Sequence, residues 1–160
     1  MNPLNSPIEV GIRALVLLVE CFPDSLDVAQ LVYLDHAMVH SGHHDGGPPS
    51  LHPELPIGPG ELGMRRHLID QGLAVLMRAD LAEMLATERG LVYSATDKAT
   101  SFLDVFEAPY VGQLRERAAW TTSILEIDEA DVRDGMNQIT RNWIDGRSVE
   151  ASGYWKGTAP

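Results

Sequence analysis

At 160 residues the chain is long enough for one domain with a real core, since a domain of about 150 residues hides roughly 70% of its unfolded surface. It carries 12 Lys and Arg against 23 Asp and Glu, a formal charge of −11. That balance argues against a stand-alone nucleic-acid binder, which would draw most of its affinity from bases set on phosphates. The longest strongly apolar run, "ALVLLV" at 14–19, falls far short of the roughly 20 residues that cross a bilayer, and the single Cys21 excludes an internal disulfide.

The acidic excess is uneven. Residues 1–60 hold seven acids and one base, Arg13, whereas residues 61–125 hold nine acids and seven bases. The opening "MNPLNSPIEV" has no basic region and no cleavage pattern, so no signal peptide is expected. With one unpaired cysteine, this gives a cytoplasmic expectation.

Ser6-Pro7 opens the first helix, with Ser6 as N-cap and Pro7 at the first helical position, where a missing N–H costs nothing. Ile8, Ile12, Leu15, Val16 and Val19 keep helical spacing, and Leu17 and Leu18 widen the face until burial on most sides is expected. Pro23 stops this helix, leaving Cys21 at its end as an expected buried thiol. Asp24-Ser25 reads as the cap of a second helix, with Val28, Leu31, Val32 and Met38 on its face, ending near His40 to Gly42. No regular element fits 42–60. Leu51, Leu55 and Ile57 predict an ordered loop there, and long loops of this kind are often functional.

A third helix starts near Gly60-Glu61 and uses Met64, Leu68, Leu73, Leu76 and Met77, with Gly72 as a candidate break. "DLAEMLATERGLVYSAT" (80–96) predicts a hairpin whose turn, "TERG", offers Gly90 for positive φ. Thr96-Asp97 then caps a short helix carrying Phe102, Leu103 and Phe106. After Pro109, Tyr110, Leu114, Ala118, Thr121 and Leu125 run at helical spacing. Asp128 caps a last helix with Val132, Met136, Ile139 and Trp143 in one stripe, and from Gly146 the chain is expected to fray. The order predicts a mainly α fold with a small β-hairpin: winged-helix-like, a helix-turn-helix variant, with C-terminal helices. The expected division is a winged-helix-like domain over 1–125, a C-terminal helix over 126–145 and a flexible tail over 146–160.

Several stretches taken in order carry a resemblance. They are "NPLNSPIEVGIRALVLL", "LDVAQLVYLDHAMVHSG", "GGPPSLHPELP", "GELGMRRHLIDQGLAVLM", "GLVYSAT" and "APYVGQLRERAAW". Over roughly residues 2–125 the chain resembles the middle component, second class, of ABC-three-component systems, whose relatives include Lamassu-type anti-phage systems. The resemblance implies a non-enzymatic adaptor, without cofactor. It would dock on an ATPase similar to Rad50 and SMC proteins and couple DNA sensing to an effector, commonly a nuclease. DNA would be met only through the complex.

The residues themselves leave rival readings. "HSGHHDGGPPSLHP" (40–53) packs four histidines into one loop, and His36 with His40 stands at metal-binding helical spacing. No cysteine and no His-Glu-x-x-His accompanies them. The expected reading is a stiff, partly buried connector with exposed His43 and His44 and a hydrogen-bonded His52. Arg65-Arg66-His67 on the third helix would touch phosphates in a DNA-reading winged helix. Glu61 and Asp70 oppose that, and an ion pair of one arginine with Asp70 is the alternative. "LRERAAW" (114–120) reads as a solvated face or an interface, since Arg and Trp concentrate at hot spots. No Gly-x-Ser-x-Gly is present, and "GPGELG" lacks the Lys and Thr of a phosphate loop, so no catalytic, cofactor or metal residue is assigned. The candidate partner-binding residues are Pro48, Pro49, Leu51, His52, Arg65, Arg66, Arg115, Arg117 and Trp120. The alternatives to an adaptor are a free-standing winged-helix DNA-binding regulator and, more distantly, a histidine-loop metalloprotein.

Overall fold

The computed structural model describes residues 6–52 and 59–141. Helix α1 (Pro7–Cys21) starts as its sequence dictates: Ser6 Oγ accepts the Glu9 amide at 3.2 Å, and Pro7 sits in the first turn. Val10, Leu15, Leu17 and Leu18 are all inaccessible, so α1 is buried nearly all round. Helix α2 (Val28–Val39) begins later than Asp24-Ser25 suggested. Its cap is Asp27, which accepts the Gln30 amide at 2.7 Å while Gln30 Oε1 accepts the Asp27 amide at 2.8 Å. The delay has a cause across the fold. Leu26 forms a β-bridge with Tyr93, exchanging hydrogen bonds of 2.9 and 2.8 Å, which holds the chain extended up to the cap.

Helix α3 (Pro59–Arg78) runs unbroken through Gly72. The glycine serves packing instead of a break. A Cβ there would lie 2.8 Å from Gly11 Cα, so α1 and α3 cross with their backbones touching. Strands β1 (Ala82–Thr87) and β2 (Gly90–Ala95) form the expected hairpin, with Ala82 opposite Ala95 and Thr87 opposite Gly90. Gly90 takes the positive φ, 103°.

Helix α4 (Lys98–Asp104) has no side-chain cap. Thr96 instead donates from Oγ1 to the Asp80 carbonyl at 2.7 Å, tying the helix start to the end of α3. Helix α5 (Pro109–Ile124) lies against α1 and α2. A final helix, α6, covers 129–141, with Asp128 Oδ1 accepting the Asp131 amide at 2.8 Å. Its stripe is folded inward: Val132 is buried, Met136 packs on the core, and Gly135 lies directly against the Tyr33 ring. Trp143 and the tail from Gly146 lie outside the described residues. One core joins the helices, with Leu15, Leu31, Leu34, Met38, Ile69, Leu73, Leu103 and Leu114 sealed inside. Each contributes about 1.5–3 kcal/mol by leaving water. The result is a mainly helical, winged-helix-like layout in which α3 leads directly into the hairpin wing.

Candidate functional site: a buried charge network and an exposed wing

Arg13 sits in the middle of apolar α1 and is completely buried. A buried guanidinium is tolerable only when its donors are occupied. Arg13 grips Asp35 of α2 with two prongs, Nε to Oδ1 at 2.6 Å and Nη2 to Oδ2 at 3.0 Å, and its Nη1 meets Glu9 Oε2 at 2.6 Å. Arg65 of α3 reaches the same Asp35 through Nη1 at 2.5 Å. The expected alternative partner, Asp70, is not the one used. Three helices are thus joined at one carboxylate. Burial alone would raise the Asp35 pKa, but the two guanidiniums outweigh it and hold the carboxyl at about 2. For Glu9 the balance tips the other way: burial raises its pKa despite Arg13 and the Tyr110 hydroxyl.

The network continues to the histidine loop. Tyr110 of α5 donates to Glu9 Oε1 at 2.8 Å, and its hydroxyl lies 2.7 Å from His52 Nε2. The hydroxyl proton is given to Glu9, so His52 completes the pair as the Nε2–H tautomer. His40 stands among the imidazoles of His36, His43 and His52, at ring separations of 4.8, 5.7 and 6.3 Å. Burial, aided by Arg65 and by neighbouring imidazoles, lowers His36 to about 3 and His40 to about 4. Burial and Arg13 lower His52 to about 4. All three rings are therefore neutral near pH 7. Among the described residues no three His, Cys, Asp or Glu side chains are grouped to hold a metal ion.

The loop after α2 opens with a 3-10 turn, Ser41–His43, and is pinned from three sides. The Pro49 carbonyl accepts from Arg117 Nε and Nη2 at 3.2 and 3.0 Å and from Ser41 Oγ at 3.2 Å. The Leu51 and His52 amides both donate to the Val39 carbonyl, at 3.0 and 3.1 Å. Gly47 lies tight against the Ser41 carbonyl and the Trp120 ring, leaving no room for a side chain. The reading of a stiff, partly buried connector therefore describes residues 42–52, while 53–58 fall outside the described residues. The two exposed histidines expected there differ from each other. His43 is exposed, but His44 is half-buried, its ring edge-on to Trp120 at 5.7 Å.

The candidate partner-binding residues divide accordingly. Pro49, Leu51, His52, Arg117 and Trp120 hold the loop against α2 and α5, with Pro48 half-buried beside them. Arg65 is committed to Asp35, and Arg115 pairs with Asp104 at 2.8 Å. Arg66 is exposed on α3 and lines a groove with Arg89 of the wing, but Asp27 and Asp70 line the same groove. Cys21 is half-buried, and burial lifts its thiol to about 11.

Sequence reading missed Glu9, Arg13, Asp35 and Tyr110. A signal existed for two of them. Arg13 is the one base of the first 60 residues and stands inside an apolar helix, and Asp35 interrupts the equally apolar "LVYLDHAMV". Charges in such positions demand partners, although their spacing in sequence does not say which.

The wing shows the opposite character. Every residue from Glu83 to Leu91 is exposed, including Met84 at 49%, Leu85 at 61% and Leu91 at 50%. Scattered apolar exposure is ordinary, but this short hairpin bares large apolar side chains on both faces, Met84 and Leu91 on one and Leu85 on the other.

The layout and these two regions define a winged-helix-like protein that buries one charge network between its helices and exposes three large apolar side chains on its wing. Within that class the chain belongs to the family described as ABC-three component (ABC-3C) system Middle Component 2, whose model matches residues 3–146. The match extends past the 2–125 of the sequence resemblance and takes in α6. No curated protein and no solved structure gives a significant match.

Proposed function

We propose that the chain is a non-enzymatic adaptor subunit of a bacterial, ATPase-driven anti-phage complex related to Lamassu-type systems. It bridges an SMC- or Rad50-like ATPase and an effector, often a nuclease, in the cytoplasm. Membership of a three-component family supports the existence of partners. The observation that carries the reading is the contrast between the two regions. The network of Glu9, Arg13, Asp35, Arg65, Tyr110 and His52 is spent on joining α1, α2, α3 and α5, while apolar side chains occupy the wing. An apolar centre with charges at its rim is how protein interfaces are built. The acidic surface would also steer the chain onto a basic patch of a partner.

Co-expression of the three components, with an affinity tag on this chain, tests the proposal. The ATPase and the effector are expected to co-purify with it. Binding of the isolated chain to random duplex DNA is expected to be weaker than about micromolar at physiological salt, because Arg66 and Arg89 are opposed by Asp27 and Asp70. A monomer in every combination, together with a sequence-specific footprint on its own promoter, would replace the adaptor with a regulator.

A further inference from the structure

The hydrogen-bonding direction of the wing can be read from one bridge. Tyr93 sends both its N–H and its C=O to Leu26, at 2.8 and 2.9 Å. In an antiparallel ladder a residue turns both groups to the same side, and the side alternates along the strand. Tyr93 therefore turns away from β1, and so does its partner across the hairpin, Met84, turn away from β2. Two residues on, Ala86 does the same. The outer edge of β1 thus carries the N–H and C=O groups of Met84 and Ala86. Among the described residues no strand pairs with that edge, since the sheet has two strands and the Leu26 bridge lies on the far side of β2.

This edge has few of the usual protections. Folded proteins blunt exposed edges with proline, lysine, bulges or a covering element. β1 reads "AEMLAT", with no proline and no lysine, and it pairs without a bulge in an unbroken register from Ala82–Ala95 to Thr87–Gly90. From Glu83 to Thr87 it is exposed throughout. Met84 and Leu85 project on opposite faces, one on each side of any strand laid alongside.

We propose that β1 is a strand-addition site: an extended segment of another component of the system, with apolar residues alternating with lysine or arginine, pairs with Met84 and Ala86 as a third strand of the wing. The proposal rests on the adaptor reading. The open backbone groups require an extended peptide, which recognises through main-chain hydrogen bonds and takes its specificity from alternate side chains. Charge selects the occupant. Glu83 and Glu88 flank the edge against the single Arg89, and the whole chain carries −11, so a second copy is repelled and a basic segment is drawn in.

Met84→Pro tests this directly, because it removes an outward N–H that the hairpin itself does not use, a position where an edge strand tolerates proline. Leu85→Lys is the second variant, chosen to keep the backbone intact while guarding the edge with charge. Both are co-expressed with the other two components and recovered through a tag on this chain. The expected result is at least a tenfold loss of one co-purifying component with either variant, while the melting temperature and circular dichroism of the isolated chain stay close to wild type. Glu83→Lys should give a smaller loss that grows at low salt. Full recovery with Leu85→Lys, or with a folded Met84→Pro, overturns the strand-addition site while leaving the adaptor reading intact. If no component co-purifies with the wild-type chain, the adaptor reading fails and the site falls with it. A wild-type homodimer that Met84→Pro converts to monomer would show the occupant to be a second copy, contrary to the proposal.

Discussion

The loop side of the molecule and the wing side invert the usual division of labour between charge and grease. At the loop, Arg13, Asp35 and His52 are buried and bonded to one another through Glu9 and Tyr110. At the wing, Met84, Leu85 and Leu91 stand in solvent, and among the described residues no strand pairs with the outer edge of β1. Buried ion pairs contribute little net stability, but they fix one arrangement, because breaking one partner strands the other. Exposed apolar side chains contribute nothing to the free chain and gain energy only when covered. The difference teaches that the loop, tempting for its four histidines, is the frame, and it is why we propose the wing as the part that meets a partner.

The frame should break first. Arg13→Met leaves Asp35 buried with Arg65 alone and removes the link to Glu9, and it should cost about 3–5 kcal/mol in denaturant unfolding. A loss below 1 kcal/mol would mean that the network is not what unites the helices.

Acid should loosen the same side. The histidine pKa values fall from an ordinary 6.5 to about 3 for His36 and about 4 for His40 and His52. Below pH 6.5 the unfolded chain takes up protons that the folded rings refuse. Their contribution is therefore complete above pH 6.5 and is lost as pH falls toward 4. Asp35 is depressed from 3.8 to about 2, so its contribution is lost only below about 3.8, after the histidines. Unfolding free energy should drop by at least about 1 kcal/mol between pH 6.5 and 5. A flat profile over that interval would show that these rings titrate normally.

Tyr110→Phe removes the hydroxyl shared by Glu9 and His52, and it should cost about 1–2 kcal/mol by equilibrium unfolding. On the other side, Leu85→Lys should change the stability of the isolated chain by no more than about 0.5 kcal/mol, because the residue is exposed. A large loss there would mean that the wing is already covered by the chain itself, and the comparison would collapse.

How much of this the sequence disclosed follows from the distance over which each feature is decided. The caps at Ser6 and Asp128 were legible because each involves an amide three residues on. The hairpin was legible from its β-prone arms and from Gly90. Gly72 reads as a break because the reason for it, the backbone of Gly11, lies on another helix. Asp24-Ser25 reads as the second cap, ahead of Asp27, because Leu26 answers to Tyr93, far along the chain. In the candidate site, His52 was expected to be hydrogen-bonded and is, but its partner Tyr110 and the Arg13–Asp35–Arg65 junction depend on tertiary contact alone. The open edge of β1 was hidden for the same reason, since only the Leu26 bridge reveals which way each strand residue faces.

Amide hydrogen exchange on the chain alone and then in its purified three-component assembly tests the contrast most directly. The amides of Leu51 and His52, held on Val39, are expected to be slow already in the free chain. Those of Met84 and Ala86 are expected to exchange quickly in the free chain and to slow at least tenfold on assembly. Protection gained around 42–52 or on the Arg66 face of α3, with Met84 and Ala86 unchanged, would contradict the contrast between frame and wing.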